Sequence, residues 1–270
     1  AILGCDIAGT VVALGSNVKK FNIGDEVFGC GGGVKGMGGN YAECISTDER
    51  LLAKKPSCLS MREAAALPLV SITAWDGLKR AGLKVNENIL VHGGAGGVGH
   101  VAIQLARSFG ANVFTTVSNN EKSEIAISLG AKETIDYNTI EVEEYVQSIT
   151  NGKGFDVVFD ATGGSNISNS FAASKLNGNV VSIVSQFDAD LTLMQTKGLS
   201  LHIVFMLIPM LHNINRDSHG KIMEQIASLA EAKKLKPIIN QNIYTLNDIH
   251  LAHQKLESDS VSGKIVIDIS

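Results

Sequence analysis

A glycine-rich turn near the middle of the chain constrains the fold more than any other feature. A predicted strand at residues 89–92 leads into Gly94-Ala95-Gly96-Gly97-Val98-Gly99, and a helical pattern follows. In this strand-turn-helix setting the first glycine permits a tight turn, the second lets a pyrophosphate approach the backbone, and the third lets the helix pack closely. The sequence therefore predicts a dinucleotide-binding turn that contains Gly94, Gly96, Gly97, Val98 and Gly99.

Short apolar runs alternate with helical periodicity after residue 88, which is typical of βαβ units and a parallel sheet. Strands are predicted at residues 89–92, 113–117, 134–137, 157–160, 180–184 and 199–205. Helices are predicted at residues 97–109, 121–129, 142–149 and 166–176. The fold class is accordingly α/β, with a Rossmann-type doubly wound parallel sheet.

The two ends of the chain do not continue this alternation. Residues 1–56 predict strands at 7–14, 26–28 and 41–46, and Ser60 with Glu63 predicts a capped helix that Pro68 disturbs. Near the C-terminus, an amphipathic helix is predicted at 220–235, a second helix begins with the capping box of Thr245 and Asp248, and a strand covers 264–269. We expect residues 1–71 and 213–270 to form one β-rich domain, with residues 72–212 inserted as the Rossmann domain.

The residue at the end of the second Rossmann strand predicts the choice of nucleotide. An NAD-binding domain usually carries Asp or Glu there, about 20 residues past the glycines, to bind the ribose 2′-hydroxyl. Ser118 occupies that place, followed by Asn119 and Asn120, and no carboxylate stands there to repel a 2′-phosphate. Lys122 lies one turn into the next helix, either facing that phosphate or on a solvated helix surface. Taken together, these residues favour NADPH.

Composition excludes several other classes of protein. The formal net charge is −4 and the basic residues are scattered, so no basic stripe predicts nucleic-acid binding. The most apolar stretch, residues 203–211, contains Pro209 and is shorter than the ~20 residues of a membrane span. Four cysteines without a Cys-x-x-Cys pair disfavour a disulfide framework or a structural zinc site. We expect a soluble, cytoplasmic protein.

Several ordered stretches match one known family. They are Gly4-Cys5-Asp6-Ile7-Ala8-Gly9, Gly24-Asp25-Glu26-Val27, Gly39-Asn40-Tyr41-Ala42-Glu43, Ala64-Ala65-Ala66-Leu67-Pro68-Leu69 with Thr73-Ala74-Trp75, the Gly93–Gly99 turn, Gly130-Ala131, Ile135-Asp136-Tyr137 and Gly263-Lys264-Ile265-Val266. Across essentially its whole length the chain resembles the zinc-independent quinone oxidoreductase branch of the medium-chain dehydrogenase/reductase superfamily.

The resemblance implies a GroES-like β domain split around the Rossmann domain, with the nicotinamide in the cleft between them. It also implies that Tyr137 lies beside the adenosine phosphate, that Thr73 and Phe205 line the nicotinamide side, and that two chains form a homodimer through the Rossmann sheet edge. Without the resemblance, Tyr137 would be read as a surface aromatic and Thr73 as an ordinary helix residue. Family members carry further strands before the place of Ala1, so we expect this chain to be N-terminally incomplete.

The chemistry follows from the residues at the family's zinc site. Cys5-Asp6 occupies the place of a His-Glu pair, and Leu69 stands where a cysteine ligand belongs and cannot bind zinc. Without a Lewis acid, a quinone or an α,β-unsaturated carbonyl is a better hydride acceptor than a simple carbonyl. The expected function is NADPH-dependent, zinc-independent reduction of such an acceptor, with no side chain nominated as catalytic. The alternatives are a cofactor-binding protein with little turnover and, less favoured, a zinc alcohol dehydrogenase.

Overall fold

The structure, a computed structural model, describes residues 2–258 and 261–269. The predicted outer limits of the β-rich domain, residues 1 and 270, lie outside these ranges. The chain divides into two compact units, with boundaries between Ile72 and Thr73 and between Phe205 and Met206. The first unit combines the two ends of the chain, and the second is continuous.

The N-terminal part of the first unit is a small antiparallel sheet followed by two helices. Its elements are β1 (Asp6–Thr10), β2 (Glu26–Cys30), β3 (Leu52–Lys54), α1 (Met61–Ala65) and α2 (Pro68–Arg80), and α2 continues into the second unit. The strands pair in the order β1-β2-β3, and Phe21, Val27 and Leu52 pack together on this sheet.

Two predicted strands in this region need correction. The strand predicted at 41–46 is wrong, because these described residues are irregular. The backbone N–H groups of Asn40 and Tyr41 donate to the carbonyls of Gly4 and Leu3, so the segment is held without a ladder. The strand predicted at 7–14 ends at Thr10, after which Val12 and Leu14 are exposed.

The helix starts follow from local capping chemistry. Ser60 Oγ accepts the N–H of Glu63 at 3.2 Å, and the Glu63 carboxylate accepts the N–H of Ser60 at 2.8 Å, which confirms the predicted capping box. Pro68 does not disturb a helix but begins α2. Proline is well suited to a first helical turn, because the N–H that it lacks would have no partner there.

The second unit is a doubly wound α/β domain. In chain order it continues with β4 (Asn88–His92), α3 (Gly99–Ser108), β5 (Asn112–Val117), α4 (Asn120–Leu129), β6 (Glu133–Asp136), α5 (Val142–Thr150), β7 (Phe155–Asp160), α6 (Ile167–Ala173), β8 (Ser174–Ser182), α7 (Thr192–Lys197) and β9 (Ser200–Ile203). All pairs are parallel, in the order β6-β5-β4-β7-β8-β9. The order reverses between β4 and β7, and ligands of such sheets bind at this switch point.

One helix of this unit is shorter than predicted. The helix predicted at 166–176 stops at Ala173, and β8 begins at Ser174. The Lys197 ammonium caps this end, because it donates to the carbonyls of Phe171 (3.2 Å), Ala172 (2.6 Å) and Ser174 (2.8 Å). A cation is favoured at a helix C-terminus, where carbonyls lack helical partners.

The core of the second unit lies between the sheet and its helices. Leu90, Phe155, Val158, Phe171 and Val180 are buried together there. Gly77 allows α2 to approach the sheet, since a Cβ at that position would stand 2.7 Å from side-chain atoms of Phe159 and Val181. This apolar packing fixes the strand ends that carry the candidate site.

The C-terminal part returns to the first unit. Its elements are α8 (Ile208–His212), α9 (Asp217–Glu231), β10 (Tyr244–Thr245), α10 (Ile249–Glu257) and β11 (Ile267–Asp268), where β10 and β11 pair in parallel. The Thr245–Asp248 capping box forms as predicted, while α9 begins earlier than the predicted residue 220 and the last strand is shorter than 264–269. Arg216 pairs with Asp48 at 3.0 Å.

No helix within the described ranges is both long enough and apolar enough to span a membrane.

Candidate functional site

The glycine-rich turn is built around close contacts with the Gly93 carbonyl oxygen and with the Thr115 side chain. Gly93 follows β4 with a φ of +74°, a conformation that favours glycine. A Cβ at Gly94 would stand 2.1 Å from Thr115 Oγ1, and a Cβ at Gly99 would stand 2.1 Å from the Gly93 carbonyl oxygen. The Gly96 N–H donates to the same carbonyl at 2.9 Å. Side chains at these positions would force the turn open.

The helix after the turn presents backbone N–H groups that no side chain caps. Helix α3 begins at Gly99, and Val98, at its N-cap, makes no side-chain hydrogen bond in this described segment. Gly97 and Val98 are half-buried. Uncapped N–H groups and the helix dipole make such an N-terminus suited to an anion such as a pyrophosphate.

The ends of β5 and β6 bring together three of the predicted residues. Ser118 directly follows β5 and Tyr137 directly follows β6, with Val117 opposite Asp136 in the register. Tyr137 is 55% exposed. Lys122 lies in the first turn of α4, half-buried, and makes no ion pair with a described carboxylate. One hydroxyl, one cation and one phenol thus share this edge.

Asn119 has a structural task that the sequence prediction did not assign. Its side-chain oxygen accepts the Lys122 N–H at 2.9 Å and caps α4. This hydrogen bond fixes the backbone of Lys122 and leaves the lysine ammonium available.

Thr73 and Phe205 occupy the first and last positions of the second unit. Thr73 is buried in α2, and Phe205 follows β9 with 51% exposure. Their assignment to the nicotinamide side rests on the resemblance, and both stay predictions.

The switch point carries a buried polar network that the sequence prediction missed. Asp160, at the end of β7, accepts the N–H groups of Thr162 and Gly163, both at 2.9 Å, and the hydroxyls of Thr162 (2.8 Å) and Ser170 (3.1 Å). Burial alone would raise the pKa of Asp160, but these hydrogen bonds outweigh it and the pKa is lowered. The carboxylate therefore stays ionised and orders the loop after β7.

His92 is the second member of this network. It ends β4, lies between Asp160 and Thr116 in the register, and contacts Thr116 Oγ1 through Nδ1 at 3.1 Å. Burial lowers its pKa to about 4, so the imidazole is neutral near pH 7. The sequence did contain a signal for this network, because His92 and Asp160 are polar residues that end two largely apolar strands, β4 and β7.

In the first unit, the residues at the family's zinc position do not fit a zinc ion. The Asp6 carboxylate accepts the Leu69 N–H at 2.7 Å, lies 3.5 Å from Cys30 Sγ, and pairs with the Lys264 ammonium at 3.4 Å. Burial raises the pKa of the Cys5 thiol, which disfavours the thiolate that zinc requires. Within the described part of the chain, no three His, Cys, Asp or Glu side chains are grouped as metal ligands.

Two family models match the sequence. The model described as zinc-binding dehydrogenase covers residues 129–267, and the model described as alcohol dehydrogenase GroES-like domain covers residues 1–57. Together with the doubly wound sheet and its glycine turn, they define a two-part dehydrogenase fold. The chain belongs to the medium-chain dehydrogenase/reductase superfamily.

Relatives and solved structures cover nearly the whole chain. It is 34% identical over 271 residues to the 2-methylene-furan-3-one reductase of Solanum lycopersicum. This alignment covers 98% of the chain and 62% of the relative. It is 31% identical to the NADPH-dependent alkenal/one oxidoreductase, chloroplastic, of Arabidopsis thaliana, with coverages of 98% and 63%. The chain thus spans less than two thirds of the length of both relatives.

Among solved structures, an alcohol dehydrogenase superfamily protein from Novosphingobium aromaticivorans superimposes with a TM-score of 0.93 at 39% identity, covering 99% of this chain and 82% of that one. The Escherichia coli quinone oxidoreductase, determined as a complex with NADPH, superimposes with a TM-score of 0.86 at 28% identity, with coverages of 98% and 81%. These likenesses confirm the predicted family and fold class.

Proposed function

We propose that this chain binds NADPH and belongs to a zinc-independent oxidoreductase that delivers hydride to a quinone or an α,β-unsaturated carbonyl. The observation that carries the proposal is the close packing of Gly99 on Gly93, which leaves the start of α3 open to a pyrophosphate. The names of the relatives support the same chemistry, since one is an NADPH-dependent alkenal/one oxidoreductase and another a 2-methylene-furan-3-one reductase.

The charges of the predicted cofactor-binding residues on the second unit favour NADPH. Gly94, Gly96, Gly97, Val98 and Gly99 would hold the pyrophosphate through backbone N–H groups. Ser118, Lys122 and Tyr137 would hold the adenosine ribose and its 2′-phosphate, because the lysine supplies a cation and no carboxylate replaces the serine. When bound, NADPH supplies the hydride.

Other residues of the second unit would hold the proposed cofactor-binding surface in place. Asp160 fixes the loop that begins at Thr162, next to the turn at Gly93, where a Cβ would lie 3.6 Å from the Thr162 methyl. Neutral His92 keeps a positive charge out of the buried strand end. We assign no protein group as the proton donor.

The possible metal ligands around Asp6 indicate which class of hydride acceptor the protein uses. Leu69 offers no ligand, and the Asp6 carboxylate is already engaged by Leu69 N–H and Lys264. Among the described residues no set of the kind that holds a Lewis acid is available to polarise a simple carbonyl, so an acceptor that stabilises the incoming charge itself is favoured.

The test is a fluorescence titration of the purified chain with NADPH and NADH in one buffer. We expect tighter binding of NADPH, and a Lys122→Ala variant should lose about tenfold in NADPH affinity with little effect on NADH. Lys153→Ala, which removes an exposed lysine from another loop, is the control. Equal or tighter binding of NADH would contradict the choice of cofactor. NADPH binding without turnover across quinones and enones would favour a non-catalytic role.

We also keep the homodimer and the cytoplasmic location as proposals. Among the described residues, β6 and β9 are the two outer strands of the second unit's sheet, and an outer strand supports pairing of two chains along a sheet edge. Light scattering after size-exclusion chromatography tests the dimer, and fractionation of the source cells tests the location.

A further inference from the structure

The edge that carries the proposed 2′-phosphate site also carries an acidic side chain. Asp136 is the last residue of β6 and lies opposite Val117, which immediately precedes Ser118. Adjacent strands lie about 5 Å apart, so this carboxylate is close to the place where the 2′-phosphate would bind. A carboxylate at the end of a neighbouring strand would repel that phosphate and favour NADH.

The Asp136 carboxylate is held by one residue. The backbone N–H and the side-chain Nδ2 of Asn138 both donate to Asp136 Oδ1 at 3.0 Å. The same Nδ2 donates to the carbonyl oxygen of Ser118 at 3.1 Å. Within the described ranges no Lys or Arg pairs with Asp136. The amide of Asn138 therefore joins the acid of one strand end to the backbone of the next.

We infer that Asn138 is a positioning residue that sets cofactor preference, by holding the Asp136 carboxylate against its own amide and away from the 2′-phosphate. The inference rests on the proposed binding of NADPH. Without the Asn138 side chain, one of the two hydrogen bonds to Asp136 is lost and the Ser118 carbonyl loses its donor. The carboxylate then gains the freedom to turn toward the phosphate, and like charges at such distances repel.

Three variants test this inference: Asn138→Ala, Asp136→Asn and the double variant. The readout is the ratio of NADPH to NADH affinity, measured by titration at low and at high salt. Asn138→Ala should lower this ratio about three- to tenfold, and the loss should shrink at high salt, where exposed charges are screened. Asp136→Asn should keep or raise the ratio. The double variant should return it to within about twofold of the unmodified chain, because the repelling charge is gone.

The control is Asn169→Ala, which removes a comparable exposed hydrogen bond, to Asn166 at 3.2 Å, on another element. An unchanged ratio in Asn138→Ala overturns the inference. A double variant as poor as Asn138→Ala also overturns it, because the loss would then come from loop shape and not from charge. If the unmodified chain binds NADH as well as NADPH, the proposed cofactor fails and the inference fails with it.

Discussion

Gly99 lies against Gly93, with the position of a Gly99 Cβ only 2.1 Å from the Gly93 carbonyl oxygen. The need for glycine at position 99 is therefore one of space. Any side chain must push helix α3 away from the end of β4, and overpacking of this kind costs about 1–3 kcal/mol.

We predict that Gly99→Ala lowers NADPH affinity by more than about tenfold and the free energy of unfolding by about 1–3 kcal/mol. Titration and urea unfolding measure the two effects. Gly9→Ala is the matched control, because a Cβ at Gly9 would meet nothing within 4 Å. If Gly99→Ala binds NADPH normally, the close approach is not what shapes the site.

The buried His92 predicts a pH dependence of stability. Its pKa is lowered to about 4 by burial, whereas an exposed histidine titrates near 6.5. The unfolded chain therefore binds the proton first as the pH falls. The contribution of His92 to stability is complete above roughly pH 6.5 and is lost between that pH and about 4.

Between about pH 7.5 and 4.5, the wild-type chain should thus lose roughly 2–3 kcal/mol more of its unfolding free energy than His92→Gln. Urea unfolding at the two pH values measures this difference. His253→Gln, at an exposed position on α10, should behave as the wild type does. Equal losses in His92→Gln and the wild type would show that His92 is not buried in its neutral form.

The sequence predicted the sheet of the second unit better than its loops. Strands Asn88–His92 and Phe155–Asp160 contain the apolar runs 89–91 and 157–159, and burial on both faces leaves a clear pattern in such strands. The end of α6 was missed because its cap comes from Lys197, more than 20 positions away from the carbonyls that it binds. The irregular segment at 41–46 was missed because its alternation resembles a strand, while its hydrogen bonds depend on Leu3 and Gly4.

In the candidate site too, the features that depend on local sequence were predictable, and those that depend on distant contacts were not. Gly94 and Gly99 could be assigned from spacing, since the turn is local. The link from Asn138 to Ser118 spans 20 positions and depends on the pairing of β5 with β6. The hydrogen bonds of Asp160 could not be predicted from the sequence, because they depend on the conformation of the loop after β7.

Metal analysis provides another prediction. Because Leu69 offers no donor atom and the Asp6 carboxylate binds Leu69 N–H and Lys264, purified protein should contain far less than one zinc per chain. Treatment with EDTA should leave both the melting temperature and the NADPH affinity unchanged. Elemental analysis that finds stoichiometric zinc, with loss of stability on chelation, would contradict the conclusion that the residues around Asp6 and Leu69 do not bind zinc.

Lys197 leads to the last prediction, because its ammonium satisfies three carbonyls at the end of α6. Lys197→Met keeps much of the apolar stem but removes the ammonium from all three partly buried carbonyls, of which that of Phe171 keeps the Ser174 N–H as a donor. The free energy of unfolding should fall by about 1–3 kcal/mol. Lys221→Met is the control: its ammonium pairs with Asp217 at 2.5 Å on an exposed helix face, with 73% of the side chain accessible. Surface pairs of that kind contribute little, so this control should unfold at the wild-type urea concentration. A Lys197→Met chain as stable as the control would mean that water replaces the ammonium at the three carbonyls without loss, and that the start of β8 at Ser174, not the lysine, ends the helix.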